Sequence, residues 1–254
     1  MVEWRIIESG KNPASWNMSV DSAVVESVSK GLCPPTLRLY GWEPSAISIG
    51  YFQKLFDEVD VKKCEKSGVD VVRRITGGGA VFHECEATYS LVIPQSDPLI
   101  PGDDIIGCFR RICGGIIRGL DLIGVSASFE PINDVIAGGK KVSGNAQIRR
   151  KGCVLQHGTI LLKVDVKRMF SLLTVSDEKI RDKLISRVED RVTSVSDVLG
   201  RSVGFDEMIE VLRLGFSKEF EVDLVDGSLS SEEKENIEKF RKQKFANPAW
   251  VQKR

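Results

Sequence analysis

Apolar side chains return every three or four positions along two stretches of the chain. From Asn17 to Leu32, Met18, Ala23, Val24 and Val28 mark one helical face. From about Asp103 to Leu122, Ile105, Phe109, Ile112, Ile116 and Leu120 mark another, with Asp103 and Asp104 where an N-cap and first turn favour acids. A third helix is expected over Asp57–Lys66, ended by Gly68 as a C-cap. Shorter apolar runs read as strands: Thr36–Tyr40, Ala46–Tyr51, Val69–Arg73, Ala87–Ile93, Ser126–Phe129, Asp134–Ala137 and Val154–Val164. Gly41-Trp42-Glu43-Pro44 reads as the turn between the first two. From Val166 the pattern turns mostly helical, over Lys167–Leu173, Asp177–Ser186, Phe205–Phe220 and Ser231–Phe245. The last opens on Ser230-Ser231-Glu232-Glu233, a capping-box spacing. Strands joined by hairpins and helices, followed by a helical end, predict an α+β fold. No repeat or low-complexity tract divides the chain, so one domain over residues 1–254 is expected.

Composition narrows the partners. The 254 residues are 42% hydrophobic, enough for one sizeable core. Thirty-six basic and thirty-six acidic residues cancel, whereas a nucleic-acid or anionic-membrane partner normally leaves a basic excess. Neither partner is expected. No apolar run approaches the roughly 18 residues of a membrane span, and the start, MVEWRIIESGKN, does not read as a signal peptide. A cytoplasmic location is the expectation. The six cysteines have no C-x-x-C spacing, which argues against zinc, and Cys108 and Cys113 read as small buried thiols.

Three segments hold more glycine and polar groups than strands require. In Arg73-Arg74-Ile75-Thr76-Gly77-Gly78-Gly79-Ala80-Val81-Phe82-His83-Glu84, three glycines allow close backbone approach to a ligand, and two arginines supply forked donors for a carboxylate or phosphate. A plain glycine hairpin with solvated arginines reads equally well, and neither a Walker A loop nor G-x-G-x-x-G is completed. The second segment is Asn133-Asp134 with Gly138-Gly139-Lys140-Lys141-Val142-Ser143-Gly144-Asn145-Ala146, where a lysine serves as a point charge or a solvated hairpin tip. The third, Gln156-His157-Gly158-Thr159, carries one of only two histidines; the other is His83. Together they point to an anion-binding site for a small ligand.

In these segments the chain resembles the lipoate–protein ligase A family of the biotin/lipoate ligase superfamily. Arg73–Glu84 is similar to R-R-x-[ST]-G-G-G-x-V-[FW]-H-D, with Glu84 in place of the final Asp. Asn133-Asp134 with Gly139–Ala146 is similar to N-D and G-x-K-[IV]-S-G-x-A, and His157–Leu162 to H-G-[ST]-[IL]-L-[LF]. The resemblance implies a central mixed β-sheet flanked by helices. It also implies a ligase that uses ATP and Mg²⁺ to turn lipoate into lipoyl-AMP, then acylates a lysine of a lipoyl domain or a glycine-cleavage H protein. Lys141 would be the catalytic cation, Arg74 would bind adenylate or carboxylate oxygens, and Gly77, Gly78 and Gly79 would line the acyl channel. Thr76, Phe82, His83, Asn133, Asp134, Ser143 and Gly144 would complete the substrate and adenylate site, with His157 and Thr159 in support. Asp134 is the candidate for Mg²⁺.

Two departures bear on this reading. Full-length ligases of the family carry a C-terminal accessory domain beyond a position like Trp250, so a separate accessory subunit is expected here. The basic stretch Lys239, Arg241, Lys242, Lys244, Lys253 and Arg254 would dock that subunit or an acidic lipoyl domain, or simply face solvent. The second reading is an octanoyltransferase of the same superfamily, which skips ATP and uses a cysteine thioester in the segment before the lysine motif. Val125–Pro131 contains no cysteine here, and Cys153, beside Arg149, Arg150 and Lys151, comes after Lys141. The ligase is therefore the favoured expectation.

Overall fold

A computed structural model describes residues 2–175 and 177–253. The first half alternates strands and helices: β1 (Val2–Asn12), α1 (Ala14–Ser29), β2 (Thr36–Trp42), β3 (Ala46–Ile49), α2 (Leu55–Glu58), α3 (Val61–Lys66), β4 (Asp70–Arg73), β5 (Val81–His83), β6 (Glu86–Pro94) and α4 (Ile105–Leu122). Four strands follow, β7 (Ala127–Glu130), β8 (Asp134–Ala137), β9 (Lys140–Arg150) and β10 (Cys153–Leu161). The remainder is α5 (Val166–Leu172), α6 (Glu178–Arg191), α7 (Val195–Leu199), α8 (Phe205–Phe220), β11 (Val222–Asp226), α9 (Ser231–Phe240) and α10 (Pro248–Val251).

Eight strands form one mixed sheet in the order β11-β1-β2-β6-β10-β9-β8-β7, with β1 parallel to both β11 and β2 and the other pairs antiparallel. Side chains alternate across it as the pleat demands. Leu37, Leu39, Tyr89, Leu91 and Val154 face α4 and α8, where Ile112, Ile116, Leu212 and Phe216 close one core. Tyr40, Trp42, Val92 and Leu155 face α1 and pack with Met18, Val24 and Val28. The expected α+β class and helix-flanked mixed sheet are thus observed. A second sheet, β4-β3-β5, carries the glycine segment and packs its own small cluster of Ile47, Ile49 and Leu55.

Local differences have local causes. The helix expected over Asp57–Lys66 is two helices, because the Asp60 side chain caps α3 by accepting from the Lys63 amide and Val59 leaves the helix to bridge Leu173. Gly68, at φ +64°, stands just past the end of α3. Ser230 and Glu233 form the capping box of α9, but the helix predicted to Phe245 changes at Arg241–Phe245 into a π-helical turn. The strands β1, β5, β9 and β11 escape the apolar pattern. Strand β9 is the instructive one: Ser143, Asn145 and Gln147 are polar, yet it is held between β8 and β10. No helix among the described residues is long and apolar enough to cross a membrane.

Candidate active site

A cavity of about 380 Å³ opens between the second sheet and the β9–β10 pair of the large one. That size suits a small-molecule ligand. Its walls are apolar at Met18, Trp42, Phe82, Leu161, Met169 and Val192, and polar at Lys141, Asn133, Asn145 and Thr159.

Lys141 is in β9 just beyond the Gly138-Gly139 turn and is not the hairpin tip. Its Nζ lies 2.7 Å from Asp134 Oδ1, with both side chains partly exposed. The ammonium lies along the backbone of Gly144, where a Cβ would stand 2.7 Å from it. Any larger residue at 144 displaces the lysine. Gly50 plays the corresponding part for the glycine segment, since a Cβ there would meet the Gly78 carbonyl oxygen at 2.0 Å.

Each of the two histidines stands between a hydroxyl and a carboxylate. His83 Nε2 is 2.7 Å from Ser48 Oγ, and its Nδ1 is 2.6 Å from Glu86 Oε1. His157 Nε2 is 2.8 Å from Thr76 Oγ1, and its Nδ1 is 3.1 Å from Asp21 Oδ2. Arg74 ties the two hydroxyls together, donating from Nε to Thr76 Oγ1 at 3.1 Å and from Nη1 to Ser48 Oγ at 3.2 Å. Its other bonds run to the carbonyls of Ser48, Gly77 and Gly79. Burial pushes the Arg74 guanidinium down to about 10, so it remains a cation at neutral pH. Among the described residues it has no carboxylate partner.

The arginines consequently act differently from a pair of exposed anion ligands. Arg73 is fully buried and donates to the carbonyls of Gly50, Tyr51, Gln53, Trp250 and Val251, while Trp250 Nε1 donates to the Arg73 carbonyl. Arg74, Gly78, Gly79, Phe82, His83, Asn133, Lys141, Gly144, His157 and Thr159 all line the cavity. Thr76 and Ser143 are wholly buried behind its wall, and Gly77 and Asp134 also stand outside the lining. Asn133 exchanges bonds with Asn145, whose Oδ1 accepts from Tyr89 Oη at 2.7 Å. That clasp stiffens the β8–β9 wall. Asp134 is engaged with Lys141, and no group of three or more potential ligands for a metal ion exists among the described residues.

Sequence patterning alone did not single out Ser48, Asp21, Glu86 or Cys85. Only His83-x-x-Glu86, three residues apart across a strand start, offered a hint. Cys85 is exposed and lines the cavity. Cys153 is buried on the α1 side of the sheet, where desolvation pushes its thiol up and disfavours a nucleophilic thiolate. In the basic C-terminal stretch, Lys244 and Lys253 both lie over the Trp250 ring, and Arg254 falls outside the described residues.

Comparison with known proteins follows this geometry. An octanoyltransferase LipM from Kyrpidia tusciae is 38% identical over 94% of each chain. The octanoyltransferase LipM of Clostridioides difficile is 34% identical over the full length of both. Among solved structures, a bi-partite lipoate protein ligase from Thermoplasma acidophilum superposes with a TM-score of 0.89, at 29% identity over 99% of this chain and 97% of that one. The expectation of an ATP-dependent lipoate ligase is overturned by the full-length octanoyltransferase relatives. A transferase moves an acyl group that is already activated, so the expected ATP, Mg²⁺ and lipoyl-AMP intermediate have no place in the reaction for which those relatives are named. What both readings share is the catalytic domain: residues 13–217 match the lipoyl protein ligase A/B catalytic domain, and the chain belongs to that family.

Proposed function

We propose that the protein is an ATP-independent acyltransferase, which passes an octanoyl group from a carrier thioester to a lysine amine of a lipoyl domain. The observation that carries this reading is the position of Lys141 in the lining of a cavity that also holds an apolar part built from Met18, Trp42, Phe82, Leu161, Met169 and Val192. The acyl chain would occupy the apolar part, and the thioester carbonyl would reach the ammonium. Attack on that carbonyl develops charge on oxygen, and a fixed cation in a partly dry site stabilises it. Asp134, 2.7 Å from Nζ, holds the lysine in place.

The test is mass spectrometry of an apo lipoyl domain incubated with the protein and an octanoyl-thioester carrier, without ATP. Octanoylation of one acceptor lysine is expected. Modification that requires free acid and ATP would overturn the reading. In the same assay Lys141→Ala is expected to lower the rate on the order of 10²–10³-fold, the usual cost of one oxyanion donor. An unchanged rate in that variant removes Lys141 from the mechanism.

A further inference from the structure

The chain as a whole is neutral, yet four cations gather beside Trp250: Arg150 and Lys151 where β9 ends, and Lys244 and Lys253 near the C-terminus. Lys244 Nζ lies 5.4 Å from the ring centroids of both Trp250 and Phe240. Lys253 Nζ lies 5.2 Å from that of Trp250 and 4.8 Å from that of Tyr51, and donates to Tyr51 Oη at 2.9 Å. The rings hold these cations in place without neutralising them. Of the four, only Lys151 meets a carboxylate, Glu26, which it shares with Lys30. Arg150, Lys244 and Lys253 form no ion pair among the described residues. Burial, and after it the charges of Arg150, Lys151 and Lys253, pushes the Lys244 ammonium down. Phe52, 68% exposed, stands edge-on to Tyr51 at 5.0 Å and adds an aromatic side chain at the rim. Fixed cations without counter-charges, set among accessible aromatic rings, have the make-up of a docking surface for an anionic partner.

The patch lies outside the cavity lining but shares its backbone frame. Trp250 Nε1 donates to the Arg73 carbonyl, Arg73 donates to the carbonyls of Tyr51, Trp250 and Val251, and the next residue, Arg74, lines the cavity. The Tyr51 amide donates to the Thr76 carbonyl at 2.9 Å, at the foot of the glycine segment. A partner seated on Trp250 therefore stands beside the cavity and not over it. The acceptor amine hangs on a four-carbon stem, so an acceptor domain has to sit at the cavity mouth itself. A donor that carries its thioester on a longer arm can be held to one side. We propose that the Trp250 patch docks the acidic protein that carries the acyl thioester, with Arg150, Lys151, Lys244 and Lys253 meeting its carboxylates and Phe52 meeting an apolar side chain. The proposal rests on the transferase reading above. Such cations steer the encounter and fix its orientation, and the chemistry is left to the cavity. A nucleic acid or an anionic membrane fits less well, since either calls for a basic excess that the whole chain lacks.

The experiment compares two octanoyl donors: a loaded acidic acyl carrier protein, and octanoyl-pantetheine, which keeps the thioester arm without the protein. Lys244→Glu combined with Lys253→Glu should raise KM for the loaded carrier about tenfold, and leave kcat and the KM for octanoyl-pantetheine within about twofold. In the wild type, added salt should raise KM for the loaded carrier alone. Arg150→Glu, at the end of β9, should act in the same direction, which covers the case in which reversal at Lys244 disturbs the π-helical turn. An equal loss with both donors, or a raised KM for the apo lipoyl domain instead, would overturn the proposal while leaving the transferase standing. So would binding to duplex DNA or to anionic vesicles as tight as to the carrier. Titration with unloaded carrier, followed by tryptophan fluorescence, separates the two readings. Binding that the substitutions abolish, in a protein that transfers no octanoyl group, sinks the transferase and keeps the docking surface. Turnover of octanoyl-pantetheine without carrier binding does the reverse.

Discussion

The two histidines sit in matching frames with opposite surroundings. His157 faces Asp21, whose carboxylate also accepts from Arg38 Nη1 at 3.0 Å, Ser90 Oγ at 2.9 Å and Tyr40 Oη at 3.3 Å. Burial works against that charge, but the His157 hydrogen bond and the Arg38 cation together hold Asp21 below its ordinary range. Its hydroxyl partner, Thr76, is sealed from the cavity. His83 faces Glu86, which has no arginine or lysine ion pair among the described residues, and its hydroxyl partner Ser48 reaches the cavity wall. A compensated array, its hydroxyl out of the lining although His157 itself reaches it, braces α1 against the sheet. The other array leaves a buried carboxylate oxygen without a hydrogen-bond partner among the described residues, beside the cavity.

Replacement of each carboxylate by its amide should separate the two. Asp21→Asn leaves Arg38 charged and unpaired in the core, a loss of about 3–5 kcal/mol, read as a melting midpoint about 10 °C lower for a chain of this size. Glu86→Gln breaks no ion pair to an arginine or lysine and should keep the midpoint within a few degrees, while lowering transfer about tenfold by loosening His83 in the cavity lining. Equal melting losses in both variants would erase the distinction.

Acid sharpens it further. A carboxylate whose folded pKa is depressed contributes fully above its unfolded value and is lost as pH falls through the folded one. For Asp21, with an ordinary value of 3.8, that window opens below about pH 4. The wild-type melting midpoint should therefore fall faster below pH 4 than that of Asp21→Asn, measured by thermal melts from pH 6 to 2.5. The smallest effect is expected at Cys153, on the same face as Asp21: Cys153→Ala should cost about 1 kcal/mol and leave transfer within twofold. A trapped thioester on Cys153 would contradict its burial.

The strongest helices and most of the large sheet were legible because their side chains repeat at 3.6 or 2 residues. Helix α4 is one case: Asp104 caps it by accepting from the Gly107 amide, and Ile112, Ile116 and Leu120 face the core as expected. The glycine segment and the lysine hairpin were also legible as places of unusual chemistry. Strand β9 was not, because its polar residues are stabilised by two neighbouring strands and by cavity-wall bonds that no periodicity records. The engagement of Arg73 was hidden for a related reason. A buried arginine satisfied by backbone carbonyls looks, in a sequence, the same as one awaiting an anion.

The choice between ligase and transferase lay beyond both motif and fold, since the two activities share one catalytic domain and full-length relatives tipped it. By itself the sequence determined the α+β class, the neutral charge and the three segments that build the cavity, because these depend on composition and short-range spacing. Tertiary structure alone decided which hydroxyl meets which imidazole: Ser48 and His83 are 35 residues apart, Thr76 and His157 are 81 apart. It also decided which carboxylate is neutralised by an arginine and which is left facing the site. Those pairings arise from strand register and from the packing of α1 on the sheet, where residues distant in the chain share one small, desolvated space.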